Sequence, residues 1–136
     1  MKAGVLIVTH YRLGEEFLQA LRLILPEAPS WEAVSVDPTM AVEEVRGSIA
    51  AGLKAADGGA GVLILTDMFG GTPSNMSLSF HDEHQVEVVT GMNLPMLIKL
   101  ATMREDKPLD ELAAFIKAYG QRNISVASEL VPGGEG

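Results

Sequence analysis

Apolar positions along the chain change their spacing at regular intervals, and each change marks an element. Residues 4–9 are a β-branched and aliphatic run bounded by polar residues, the pattern of a strand covered on both faces, as in a parallel sheet. From Leu13 the apolar residues recur at Leu13, Phe17, Leu18, Leu21 and Ile24 or Leu25, a helical stripe that stops before Pro26 and Pro29. Residues 31–36 read as a second, shorter strand. Asp37, Pro38 and Thr39 form a turn, and Glu43 and Glu44 lie in the first turn of a helix whose stripe is Val42, Val45, Ile49 and Leu53. Asp57, Gly58 and Gly59 end it.

Residues 61–66 carry the strongest strand signal, four consecutive aliphatics followed by a polar, glycine-rich turn. The next helix is expected to open at Pro73, with Thr72 as its N-cap. Residues 86–90 form a fourth strand, Asn93 and Pro95 start a further helix, and Pro108 with Asp110 starts another that ends near Gly120. Residues 123–128 alternate Ile124 and Val126 with polar neighbours, which predicts a half-exposed strand at a sheet edge. Residues 132–136 read as a frayed tail, leaving residues 1–131 as one domain.

Strands alternating with helices through short connections predict an α/β fold, a doubly wound and mostly parallel sheet with helices on both faces and right-handed crossovers. In the strand order 2-1-3-4, the first and third strands are neighbours whose following helices leave on opposite faces, so ligand chemistry belongs in the crevice at their carboxyl ends. His10 follows the first strand and Asp67 the third. Two residues far apart in sequence are thereby expected to meet.

Composition narrows the function classes. Apolar residues make up 47% of the chain, but no uninterrupted run approaches the roughly 20 residues needed to cross a bilayer. The start of the chain lacks a small-residue cleavage site behind its apolar run and reads as a buried strand rather than a secretory signal. With no cysteine, the chain has no disulfide, thiolate nucleophile or cysteine-based zinc site, which suits a reducing, cytoplasmic setting. A net charge of −8 with Lys and Arg scattered singly argues against nucleic acid as a partner, because no basic stripe exists to displace counterions. Aromatic residues, at 5%, are too few for a base-stacking platform.

His10 can act as a covalent nucleophile if one ring nitrogen stays unprotonated and faces outward while a partner holds the other ring N–H. Asp67 is placed to do so, in the orienting role a carboxylate plays in catalytic triads. The plainer alternative is a histidine that ends a strand and bonds a backbone carbonyl. The segment 67–75, Asp-Met-Phe-Gly-Gly-Thr-Pro-Ser-Asn, favours chemistry: Gly70 and Gly71 let the backbone approach an anion, and a helix N-terminus at Pro73 turns unpaired N–H groups toward it. A phosphoryl group on His10 would meet donors from Gly70, Gly71, Thr72 and Ser74 without a metal or cofactor. The segment is not a P-loop, since the Gly-Lys-Ser/Thr ending is absent.

Exposed apolar groups beside a nucleophile suit transient docking of a carrier, and Met68 and Phe69 fall in that loop. Met92, in Gly91-Met92-Asn93-Leu94-Pro95-Met96, either joins the docking surface or is ordinary core. His81-Asp82-Glu83-His84 has spacing that could suit zinc but falls short of four assured ligands, and reads as a solvated turn.

Three blocks together resemble the enzyme IIA components of the mannose class of the bacterial phosphoenolpyruvate-dependent sugar phosphotransferase system. They are Thr9-His10, the segment from Leu65 to Asn75, and the segment from Gly91 to Leu97. The resemblance covers roughly residues 1 to 130, the single-domain layout expected above. It implies that His10 accepts phosphate on Nε2 from the histidine-containing phosphocarrier protein and hands it to an enzyme IIB, with Asp67 orienting the ring. It also implies a homodimer whose last, antiparallel strand can exchange between subunits. Members of the family usually have glycine directly after the histidine, whereas this chain has Tyr11 and then Arg12, which touches partner choice and docking more than the chemistry. No IIB domain follows, so the acceptor is expected on a separate chain. A regulatory module of the same fold that binds a partner or anion at the same crevice, and the phosphocarrier subunit of a dihydroxyacetone kinase, are the competing readings.

Overall fold

Residues 2–133 are described by the computed structural model. Four parallel strands, β1 (Gly4–His10), β2 (Glu32–Val36), β3 (Val62–Thr66) and β4 (Val86–Thr90), form one sheet in the order β2-β1-β3-β4. Around it lie α1 (Leu13–Ile24), α2 (Val42–Ala56), α3 (Thr72–Leu78), α4 (Leu94–Thr102) and α5 (Leu109–Arg122). The expected 2-1-3-4 order is the one observed.

The aliphatic strand runs are explained by burial on both sides. Along β1, Val5 and Ile7 join Leu63, Leu65 and Val89 under α1, α4 and α5, packed against Leu18, Leu21, Leu97 and Ile116. Leu6 and Val8 face the other way, joining Val62, Ile64 and Val86 under Val45, Ile49, Leu53 and Phe80. Each fully buried aliphatic of these two cores contributes about 1.5–3 kcal/mol relative to exposure. A sheet covered in this way leaves only the strand ends open to a ligand.

Two helical stripes begin later than their spacing suggests. Leu13 and Val42, the first residues of α1 and α2, are exposed, and the buried positions on those helices include Gly14 and Gly52. A Cβ on Gly14 would stand 2.9 Å from Ile7 Cγ2, and one on Gly52 would stand 2.8 Å from Leu6 Cδ1. Absence of a side chain therefore brings both helices close to β1.

Thr72 was expected as the cap of α3 but is its first residue; Gly71 is the N-cap. Asn93 does cap α4, its Oδ1 accepting the Met96 N–H at 3.2 Å while its Nδ2 donates to the Gly120 carbonyl at 3.0 Å. The expected antiparallel edge strand at residues 123–128 is not formed: after α5 the chain runs as coil into a 3-10 turn at Ala127–Leu130, and no fifth strand occurs among the described residues. Alternation of Ile124 and Val126 supplies a face, but a strand also needs a neighbouring ladder, and none forms with this segment among the described residues. Ile124, Val126, Leu130 and Val131 are all exposed. Of the expected tail, residues 134–136 lie outside the described residues.

Candidate active site

The site grows from the unequal lengths of β1 and β3. Val8 is in register with Thr66, the last residue of β3, so β1 carries two residues, Thr9 and His10, past the end of its neighbour. The β3–α3 loop must begin there, and Asp67 meets His10 across the gap.

One carboxylate oxygen makes the junction. The ring Nδ1–H of His10 donates to Asp67 Oδ2 at 2.8 Å, and the His10 backbone N–H donates to the same oxygen at 3.1 Å. Asp67 Oδ1 accepts the Met68 N–H at 3.1 Å. The Asp67 side chain is 12% exposed and that of His10 is 38% exposed, so the carboxylate is sheltered while the ring reaches solvent. In the neutral ring, proton donation from Nδ1 leaves Nε2 as the nitrogen with a free lone pair.

Nε2 faces the start of α3. Gly70 and Gly71 have φ of +87° and +83°, and Gly71, with ψ of 168°, lies in a region essentially reserved for glycine, where a side-chain-bearing residue is strained by about 1–3 kcal/mol. At Gly71 there is a second reason for glycine, because a Cβ would lie 3.0 Å from both Cε1 and Nε2 of His10. No such contact exists at Gly70. Beyond Gly71, the first-turn N–H groups of α3 have no intrahelical acceptor, and Pro73 occupies a position where a missing N–H costs nothing. Ser74 is fully buried, with its hydroxyl turned back to the Gly71 carbonyl at 3.5 Å. The backbone of Ser74, rather than its side chain, therefore belongs to the helix start beside His10.

The surroundings of His10 are largely apolar. Tyr11, Met68 and Phe69 are exposed, and a crevice of about 300 Å3 beside the ring is lined by Tyr11, Asp37, Met40, Val42 and Thr72 among others. The Asp37 carboxyl, which accepts from the Thr39 hydroxyl and the Thr39 N–H, is held below its ordinary range by those bonds, the hydroxyl's first. Arg12 is exposed and pairs with Glu15 at 3.1 Å. Met92 is different: it packs in the core beneath α1, α4 and α5, so its side chain is not offered for docking.

Tyr11 adopts φ of +47°, the left-handed region, and is the one non-glycine residue to do so among the described residues. Its N–H donates to the Val36 carbonyl at 2.7 Å. The turn after the histidine thus has a conformation that suits glycine, yet carries an aromatic residue.

Elsewhere, a crevice of about 520 Å3 lies at the amino end of β4, lined by His81, His84, Glu87, Lys107 and Asp110 among others. There the His81 Nε2–H donates to Glu87 Oε1 at 2.8 Å, and that bond raises the His81 pKa. No group of three or more His, Cys, Asp or Glu side chains is placed to hold a metal ion among the described residues. No helix among them is long and apolar enough to cross a membrane.

Comparison with known proteins adds independent findings. A family model described as "PTS system fructose IIA component" matches residues 4–117. The fructose-specific EIIA component of Bacillus subtilis (strain 168) is 42% identical over 69 residues, half of this chain and 47% of that protein. The mannose-specific EIIAB component of Escherichia coli (strain K12) is 31% identical over 126 residues, 91% of this chain and 39% of that protein. The chain therefore spans less than half the length of these two relatives. Among solved structures, the mannose/sorbose specific IIA subunit from Enterococcus faecalis superimposes with a TM-score of 0.83 at 32% identity, covering 93% of this chain and 95% of that one.

Proposed function

Since the chain belongs to the mannose-class IIA family of the sugar phosphotransferase system, we propose that it relays a phosphoryl group through a phosphohistidine at His10. The observation that carries this reading is the Asp67 bond to Nδ1, which leaves Nε2 nucleophilic beside a glycine backbone and a helix start.

In the forward step the Nε2 lone pair forms a bond to phosphorus as the donor's own phosphorus–nitrogen bond breaks, the bonding pair returning to the donor. Asp67 stabilises the positive imidazole that results. Negative charge on the phosphoryl oxygens is met by the backbone at Gly70 and Gly71, the first-turn N–H groups of α3 and the Thr72 hydroxyl. Transfer onward is the same reaction with an acceptor in the donor's place.

The donor is the histidine-containing phosphocarrier protein and the acceptor an enzyme IIB, a reading supported by the EIIAB name of one relative. Both act in the cytoplasm and dock over Tyr11, Arg12, Met68 and Phe69. A homodimer is supported by the exposed apolar residues between Ile124 and Val131, which a second copy would cover; sedimentation showing only a 14.5 kDa species removes it.

Intact mass after incubation with phosphoenolpyruvate, enzyme I and the phosphocarrier protein tests the relay. Wild type is expected to gain one acid-labile phosphate and His10→Ala none. Equal gain in both proteins rejects His10, and no gain in either rejects the relay.

A further inference from the structure

The residue before His10 has a polar group that the histidine–aspartate pair does not account for. Thr9 is fully buried at the end of an apolar strand. Its Oγ1 accepts the Gly14 N–H at 2.8 Å, and its hydroxyl donates to the Tyr11 carbonyl at 3.4 Å. Gly14 is the second residue of α1, whose N-cap residue, Arg12, makes no side-chain capping bond. Thr9 therefore supplies the cap from within the strand, spanning the turn from which His10 hangs.

Every side of that turn is fastened. Tyr11 is held in its left-handed conformation by the Val36 carbonyl on its N–H and the Thr9 hydroxyl on its carbonyl. His10 presents its N–H to Asp67 Oδ2, the oxygen that also accepts from its ring. Gly14 makes the arrangement possible, since a Cβ there would stand 3.3 Å from Thr9 Oγ1 and 2.9 Å from Ile7 Cγ2. A left-handed residue other than glycine persists only where its surroundings over-determine it, and Thr9 is one of the groups that do so.

We propose that Thr9 is a positioning residue for phosphoryl transfer, its hydroxyl fixing the turn that aims His10 at Asp67 and holds Nε2 beside Gly71. The inference rests on the phosphoryl-accepting role of His10 argued above. Valine matches threonine in volume but can neither accept nor donate, so Thr9→Val strands the buried Gly14 N–H and releases the Tyr11 carbonyl. Serine keeps the hydroxyl and loses only the methyl group.

The test uses the full chain and phosphoramidate, a small donor whose nitrogen leaves as ammonia with the bonding pair as the Nε2–phosphorus bond forms. Phosphorylation is read by peptide mass at His10 for wild type, Thr9→Val and Thr9→Ser, at a temperature where circular dichroism shows all three folded. Imidazole nitrogen spectra of the unphosphorylated proteins report the Nδ1–H bond to Asp67. Thr9→Val is expected to slow phosphorylation about tenfold to a hundredfold at saturating donor, with Thr9→Ser within about threefold of wild type. Loss of the Nδ1–H signature is expected in Thr9→Val alone. A wild-type rate and spectrum in Thr9→Val overturn the proposal, as does a Thr9→Ser protein as slow as Thr9→Val, which assigns the effect to the methyl group. Should wild type fail to react with phosphoramidate or the phosphocarrier protein, the relay reading falls, and the imidazole spectra still decide for or against Thr9.

Discussion

Gly71 passes so close to His10 that a Cβ built on it stands 3.0 Å from Nε2, the atom that bonds phosphorus in the proposed relay. Gly71→Ala puts a methyl group against the nucleophile in a backbone conformation, φ 83° and ψ 168°, that also costs about 1–3 kcal/mol. The expected result is a folded protein with a slightly lowered melting temperature and phosphorylation reduced at least about a hundredfold. Gly70→Ala is also strained by its positive φ but places its methyl group in open space, so its rate falls less. Parallel mass and thermal-melt measurements separate the two effects, and equal rates in the two variants reject the steric argument.

Asp67 sets which ring nitrogen of His10 carries the proton. Asparagine can offer its NH2 group to Nδ1 and so favour the wrong tautomer, and it lacks the charge that stabilises the imidazolium. Asp67→Asn is expected to slow phosphorylation by the order of 10^3 to 10^4-fold, with a lowered melting temperature because its NH2 must face a main-chain N–H of His10 or Met68. A rate within tenfold of wild type counts against the orienting role.

At Tyr11 the left-handed backbone predicts an unusual order of stabilities. Alanine keeps the Cβ and hence the strain, whereas glycine removes it at the cost of a freer unfolded chain. Tyr11→Gly is therefore expected to exceed Tyr11→Ala by about 1 kcal/mol, or about 3 °C in melting temperature. Calorimetry of the pair checks it, and an alanine variant equal to or above glycine shows that the turn relaxes when the ring is removed.

His81 has its pKa raised above 6.5, chiefly by its hydrogen bond and charge interaction with Glu87. A raised folded-state value means the pair contributes stability that is fully present below about pH 6.5 and is lost as pH climbs through the raised value. Proton NMR of the His81 ring should give a midpoint above 6.5, with Glu87→Gln returning it toward the ordinary value. The stability difference between these two proteins should shrink from pH 5.5 to pH 8, and a gap that widens over that range contradicts the assignment.

The sheet was legible because its two central strands, β1 and β3, are buried on both faces. Unbroken aliphatic runs at residues 5–8 and 62–65 leave little choice of element, and the topology then brings His10 to Asp67. Three features depend on contacts that spacing does not encode. The alternating segment around Ile124 has the face of a strand but joins no ladder among the described residues. Leu13 and Val42 match their stripes yet lie at the open ends of their helices, where glycine makes the close contacts further along. Tyr11 could be identified as a departure from the family's glycine, but its left-handed φ belongs to the turn and not to tyrosine. A visible signal did exist for Thr9: a hydroxyl at the end of an apolar run needs a partner if it is buried, and the partner proved to be the next helix.

Asp67 Oδ2 accepts from both the main chain and the ring of His10. Rotation of the imidazole and displacement of the turn that carries it are consequently one mechanical coordinate, pivoting on a single atom. Glutamate, one methylene longer, would place that pivot elsewhere, and histidine one position along would lose one of its two attachments. The Nε2 atom is therefore geared to the seam between two loops, so that in the proposed relay a phosphate on the ring loads the seam as well.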